Sequence, residues 1–225
     1  MILYVHHQSL VFVEINDILK MTFIDKERVL VDKKFNSEAN IMDRIDCLAT
    51  FSEMSEGLCR RYLTKQHRQA NDQVSVWMKN AGMKVREDAV GNIIGRYEAE
   101  ELGKPALMIG SHLDSVVMAG KYDGPLGVLS GIAVVESLHS KGVRLPIAIE
   151  VIGFADEEGV RFKSTYLGRR AVAGTFDEDL LDVQDRDGIT MREAFVKFGL
   201  NPAEINSAAR LKDDILGYIE LHIEQ

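Results

Sequence analysis

ALMIGSHLDSVVMAGKYDG, running from Ala106 to Gly124, decides how this chain is read. It opens as the short apolar run of a buried strand and closes in a polar, glycine-bearing loop that holds His112, Asp114 and Asp123. Pro125 suits the first turn of the helix that follows, where its missing N–H costs nothing. Val128, Ile132 and Val135, with Leu129 and Leu138 alongside, give that helix a broad apolar face up to His139 and Gly142. Gly127 and Gly131 allow it to approach a sheet closely, at a cost in helix propensity. Pro146 to Phe154, PIAIEVIGF, is a second buried strand, ending in Ala155-Asp156-Glu157-Glu158-Gly159. Strand, polar loop, apolar helix, strand and polar loop form a βαβ pattern, which predicts an α/β fold with helices covering parallel strands. Ligands of such sheets bind beyond the carboxyl ends of the strands, where this chain places imidazole and carboxylates.

Outward from this unit, Ile41, Ile45 and Leu48 recur at helical spacing and predict an amphipathic helix from Asn36 to about Thr50. SEMSEGLCR reads as a loop. A second helix is expected from Thr64 to Ala81, with Ala70, Val74 and Trp77 as its apolar stripe, Met78 beside it, and Gly82 as its stop. Short strands follow at Lys84 to Glu87 and Asn92 to Tyr97, joined by a turn near Asp88 to Gly91. Beyond the second buried strand, Ser164 to Ala173 is expected to be helical. Thr190-x-x-Glu193 is a capping box for Met191 to Phe198, and Pro202 and Glu204 suit the first turn of another short helix. Leu216 to Ile223 alternates as a strand does.

The 225 residues suffice for a sizeable core in one domain, or in one domain plus a fragment. With 46% hydrophobic and 28% charged residues, the composition is that of a soluble globular protein. A formal net charge of −8 gives no basis for nucleic-acid binding, which needs a basic patch. No apolar run reaches the roughly 18 residues that cross a bilayer, so no membrane partner is expected. Cys47 and Cys59 form neither a CxxC pair nor a zinc-ribbon spacing and are read as reduced thiols of a cytoplasmic protein. Residues 1–25 read as an N-terminal extension, with Met21 an alternative start. Glu14 and Asp17, and the lack of a basic n-region, argue against a signal peptide.

Each polar group has a structural reading beside a chemical one. His112 and Asp114 lie on the same side of extended chain. Asp114 either orients a liganding His112 through its second ring nitrogen or only caps the loop. Asp123 stands directly before a helix, where it is an N-cap or a carboxylate whose two oxygens reach two ions. Glu157 and Glu158 are solvated surface, or one binds metal while its neighbour takes a proton from water; a cation would make their proximity tolerable. His222 shares a strand face with Glu220 and Glu224, on an exposed edge or as a liganding face. Histidine and carboxylate at several loop ends, without cysteine, suit zinc, manganese or cobalt, and two such ions sharing a carboxylate support hydrolysis. Arg161, Arg169 and Arg170 could meet an anionic substrate or be ordinary surface arginines.

GSHLDSV (Gly110–Val116), KYDGPLGVLSG (Lys121–Gly131), FADEEGVRF (Phe154–Phe162) and GYIELHIEQ (Gly217–Gln225) resemble the hydantoinase/carbamoylase branch of the M20 metallopeptidase-like amidohydrolases. Its members include N-carbamoyl-L-amino-acid hydrolases and allantoate amidohydrolases. The resemblance implies a three-layer helix/sheet/helix metallohydrolase catalytic domain with a mixed, largely parallel sheet, incomplete at the C-terminus. It further implies that His112 and His222 bind one divalent ion, that Glu158 binds the other, and that Asp123 bridges them. By the same resemblance Glu157 is the general base, Asp114 orients His112, and Gln225, Asn92 and Arg96 contact substrate. The implied reaction is hydrolysis of the ureido group of an N-carbamoyl-L-amino acid, with allantoate, or the peptides of an M20 aminopeptidase or dipeptidase, as alternative substrates. Residues 26–225 then form the N-terminal segment of the dinuclear catalytic domain. The family continues through a lid and dimerisation domain, which makes its full-length members homodimers, and returns with a last metal-binding histidine. His6, His7, His67 and His139 match no such position. If the 225 residues are the whole molecule, weak or no activity and an exposed apolar sheet edge are expected, and an inactive metal- or partner-binding fragment is a further alternative.

Overall fold

The structure, a computed structural model, describes His6–His7, Ser9–Leu10 and residues 37–223. Most of the expected extension over residues 1–25, and Gln225, lie outside the described residues.

Helix α1 (Ser37–Ala49) buries Ile45 and Leu48 completely, as its spacing predicts. Helix α2 (Lys65–Asn80) starts at Thr64, whose side chain accepts the His67 N–H. Its buried stripe is His67, Ala70, Asn71, Val74 and Met78, turned away from the expected Trp77. Trp77 instead flanks the core, with the Arg44 guanidinium 5.3 Å from its ring. Strands β1 (Lys84–Glu87) and β2 (Ile93–Tyr97) form an antiparallel hairpin, with Asp88 accepting the Val90 and Asn92 N–H groups at its turn.

Strand β3 (Ala106–His112), helix α3 (Pro125–Ser140) and strand β4 (Ala148–Phe154) are the expected βαβ unit, and β3 and β4 pair in parallel from Ala106–Ala148 to His112–Phe154. After β4 come α4 (Leu167–Val172), α5 (Met191–Phe198) and β5 (Ile215–Ile219). The capping box of α5 forms as read, with Thr190 and Glu193 bonding reciprocally. Three expectations shift. Helix α4 begins only at Leu167, because Lys163 and Tyr166 take left-handed φ of 55° and 62°. The turn at Pro202–Ala208 is a 3-10 helix. The last strand stops at Ile219, so His222 lies beyond the ladder instead of on a strand face.

The five strands lie in the order β1-β2-β4-β3-β5, with β3, β4 and β5 mutually parallel and β2 antiparallel to β4. This is a mixed α/β sheet. One face carries the main core, where Ile45, Leu48, Val74, Met78, Leu129 and Ile132 pack from α1, α2 and α3 against Ile93, Ile149 and Val151. On the other, Ile94, Met108, Ile152 and Phe154 meet Val172, Ile215 and Tyr218. A cleft of about 1250 Å³ is left there, lined by Met108, Phe154, Val172, Arg210, Ile215 and Tyr218. A third cluster, around Tyr62, Phe162, Met191 and Phe195, fixes the loop after β4.

Candidate metal centre

The parallel pairing sends the carboxyl ends of β3, β4 and β5 to one edge of the sheet. Ile109 pairs with Ile219, so three residues further along each chain His112 and His222 come side by side. Their Nε2 atoms are 3.2 Å apart. Asp123, one residue before the Gly124 cap of α3, brings Oδ1 to 3.2 Å from His222 Nε2 and 3.6 Å from His112 Nε2. All three ligand atoms fall within 4.8 Å of one another. Gly124 permits this approach, since a Cβ there would lie 2.5 Å from the His112 carbonyl oxygen and its φ is +82°.

Two details fit a cation. Asp123 Oδ1 is buried yet accepts no hydrogen bond, a costly condition that an ion would relieve. The His112 Nδ1 is 3.0 Å from the Asp114 carbonyl oxygen, the contact of an Nδ1–H donor, which leaves Nε2 as the ring nitrogen that faces His222 and Asp123. Two nitrogens and a carboxylate oxygen suit zinc, manganese or cobalt.

No family model matches the chain. An N-carbamoyl-L-amino acid amidohydrolase of Geobacillus stearothermophilus is 44% identical over 171 residues, 76% of this chain and 42% of that protein. A probable allantoate deiminase of Oryza sativa subsp. japonica is 40% identical over 187 residues, 81% of this chain and 38% of the relative. The crystal structure of a hydantoinase/carbamoylase family amidase from Burkholderia multivorans superposes with a TM-score of 0.74 at 30% identity, covering 85% of this chain and 46% of that one. The chain is a homologue of the hydantoinase/carbamoylase amidases. It spans about two fifths of the length of the curated relatives it matches.

Around this cluster the loop after β4 is folded back by Asp114. Its two carboxylate oxygens accept the N–H groups of Glu157 and Glu158 at 2.9 and 3.0 Å. Asp114 Oδ1 is 3.5 Å from His112 Nδ1, so the nearer support of the ring is the Asp114 carbonyl and the carboxylate chiefly holds the loop. Arg60, fully buried, donates to the carbonyls of Leu113, Leu48 and Phe51 and fixes the turn after β3. Burial pushes its guanidinium down to about 10.

Burial alone would lower the His112 pKa, but the carboxylates of Asp114 and Asp123 outweigh it and hold it well above the ordinary value. Asp123 is lowered, by His112 first. Burial would raise Asp114, yet His112 and the two loop N–H groups win and lower it. Burial raises Glu158, and repulsion from Asp114 and Asp123 adds to it. Burial likewise raises Glu157, against the pull of Arg169. Such crowded carboxyls lose their mutual repulsion once a cation sits among them.

The structure therefore brings His112, Asp114, Asp123, Glu157, Glu158 and His222 to one edge. It does not bring Asn92 and Arg96 there. Asn92 is fully buried behind the site, donating to Asp88 and the Gly168 carbonyl and accepting the Ala155 N–H. Arg96 pairs across the sheet with Glu150 and Glu98, opposite the middle of β4 and not its end. Every polar atom of Asn92 is spent inside the protein, and Arg96 faces the buried Glu150 carboxylate. Residues missed by the sequence reading include Arg60 and Asp156. Asp156 is buried at a φ of +51°, and burial followed by repulsion from Asp114 drives its pKa far up. Its place beside the glutamate pair was the only signal. Among the described residues no helix is long and apolar enough to cross a membrane.

Proposed function

We propose that this chain supplies the metal-binding strand ends of an amidohydrolase that cleaves the ureido C–N bond of N-carbamoyl-L-amino acids. The observation that carries the reading is the convergence of His112, Asp123 and His222 from separate loops, with Asp123 Oδ1 buried and unbonded. In this reading His112, His222 and Asp123 hold one divalent ion, and Asp123 with Glu158 holds a second. When bound, the ions polarise a carbonyl oxygen and acidify a water molecule.

The chain's own groups do the rest. Asp114 keeps Glu157 and Glu158 turned into the site through their backbone N–H groups. Glu157 takes the proton from the attacking water and returns it to the departing nitrogen; its burial moves it toward the neutral range where one carboxyl can do both. Net hydrolysis turns the ureido compound and water into the free amine, carbon dioxide and ammonia. Allantoate is the second reading, favoured by the 40% identity to the rice protein named as a probable allantoate deiminase.

The test is metal content after dialysis against Zn²⁺, Mn²⁺ or Co²⁺, followed by ammonia release from N-carbamoyl-L-amino acids, allantoate and, by product analysis, dipeptides. Bound ion is expected to be lost in Asp123→Ala and His222→Ala. Glu157→Gln is expected to keep the ion while turnover of the N-carbamoyl compound falls by about 100-fold or more. Ion retained equally by Asp123→Ala would overturn the site, and turnover of dipeptides alone would overturn the substrate class.

A further inference from the structure

Arg169, on α4, stands where the ends of three strands meet. Its Nε donates to Glu157 Oε2 at 2.6 Å, one Nη donates to both Glu220 oxygens at 2.7 and 2.9 Å, and the other donates to the Tyr218 hydroxyl at 3.1 Å. The guanidinium also stacks 4.6 Å from the Phe154 ring centre. Glu220 in turn accepts the Ser111 hydroxyl at 2.8 Å, and the Tyr218 hydroxyl donates to the Gly110 carbonyl at 3.1 Å. One planar fork thus joins the loop after β4 to the end of β5, and its two partners carry the connection to the end of β3.

We propose that Arg169 is a positioning residue that fastens the Glu220–His222 segment against the loop after β4 and so presets the spacing of His222 from His112 and Asp123. The proposal rests on the reading of those three side chains as a ligand set. The ladder stops at Ile219, so beyond it the backbone pairing of the sheet no longer holds the chain. Arg169 and Ser111, both bonded to Glu220, are what hold the next residue. A planar guanidinium can serve Glu157, Glu220 and Tyr218 at once, whereas an ammonium is a single point of charge.

Positioning and simple electrostatics predict opposite signs. A fixed positive charge near a cation site weakens ion binding through Coulomb repulsion, so removing it would tighten binding. If Arg169 acts by placing His222, removing it loosens binding, as loss of a group supporting a ligand generally does by about 10–100-fold.

The experiment uses the full chain with Arg169→Met, Arg169→Lys and Glu220→Gln. Hydrogen exchange is followed on the metal-free proteins, and Co²⁺ alone is titrated with its visible absorption recorded. In Arg169→Met the paired amides of β5, Ile215–Ile219, which the fork braces through Tyr218, are expected to exchange at least about 10-fold faster while β4 and α3 keep their protection. Co²⁺ affinity is expected to fall about 10-fold or more, with a changed d–d band, a signature that general loss of stability would not produce. Arg169→Lys should recover the charge but not the exchange protection. Glu220→Gln keeps an acceptor for the fork, moves the same readouts less, and covers the case in which Arg169→Met does not fold. Unchanged exchange over Ile215–Ile219, or tighter Co²⁺ binding, would overturn the proposal. A wild-type chain that binds no Co²⁺ would overturn the ligand-set reading instead, and the exchange data would still decide whether Arg169 holds the segment.

Discussion

Replacing Asp114 by asparagine is the most exacting test of how the site is held. The change is nearly isosteric, and the side chain is 1% exposed, so volume is not at issue. Both carboxylate oxygens accept backbone N–H groups, from Glu157 at 2.9 Å and Glu158 at 3.0 Å. Asparagine has a single acceptor oxygen, and in either flip its NH₂ faces an N–H. One charge-assisted hydrogen bond is lost, about 1.5–3 kcal/mol, and a buried donor is left opposed to a donor, about 1–3 kcal/mol more, for a total of about 2.5–6 kcal/mol. With a urea dependence of about 1–3 kcal/mol per molar, a loss near 3 kcal/mol lowers the midpoint by about 1–3 M. The sign against pH gives a second check. Asp114 has a folded pKa below its unfolded value, so its stabilisation is present above the unfolded pKa of about 3.9 and is lost as pH falls through the folded pKa. The gap between wild type and variant should be full at pH 7 and shrink below about pH 4. A gap under about 0.5 kcal/mol at pH 7, or one that persists in acid, would refute the claim that this carboxylate anchors the loop.

Three further outcomes are expected. His67 is fully buried, and burial pushes its pKa down to about 3, so its contribution is complete above the unfolded value of about 6.5 and lost as pH falls. The stability difference between wild type and His67→Gln should narrow by about 2 kcal/mol between pH 7 and pH 5, and urea melts showing no narrowing would mean that water reaches the ring. In Gly127→Ala the new Cβ would stand 2.4 Å from the Leu221 carbonyl oxygen and 2.8 Å from the Ser111 Cβ, so the segment bearing His222 must move. A cost of about 1–3 kcal/mol and weaker Co²⁺ binding are expected, both larger than in Gly131→Ala, and parallel melts and titrations compare them. Zinc at 100 times its dissociation constant should raise the unfolding free energy by about 2.7 kcal/mol, reversibly with chelator and less in acid, because metal ligands must shed protons to bind; calorimetry showing no shift would count against the site.

Where the sequence predicted well, the physics was local. All seven residues of β4 are buried, as expected of an apolar run covered on both faces, and Thr190 with Glu193 makes its box from residues three apart. Misreadings arose where tertiary contacts override local pattern. The stripe of α2 includes His67 and Asn71, polar residues that pattern reading leaves out, because Asn71 donates to Glu87 and the Gly91 carbonyl of the adjoining hairpin. Asn92 and Arg96, which the family resemblance implies as substrate contacts, find their partners in Gly168, Ala155 and Glu150, more than 50 residues away, and no local pattern shows those contacts. Arg169 was legible only as one of two adjacent cations. Nothing in its neighbours announces a carboxylate at Glu220, and only the parallel placement of β5 brings the two together.

That placement also determines how the candidate ligand set is held together. His112 and His222 are 110 positions apart in the chain, and their juxtaposition depends on β5, whose one hydrogen-bonded neighbour among the described residues is β3. Among the described residues the strand is an edge, with Leu216 55% exposed and only Ile215 and Tyr218 packed against the sheet's second core. Docking of β5 and ion affinity are then two readings of one equilibrium. An ion that needs His222 in place stabilises the docked strand by the same free energy that docking contributes to ion binding. Anything that covers the exposed side of β5 should therefore tighten the ion without touching it, and anything that frees the strand should release the ion while His112 and Asp123 stay where they are.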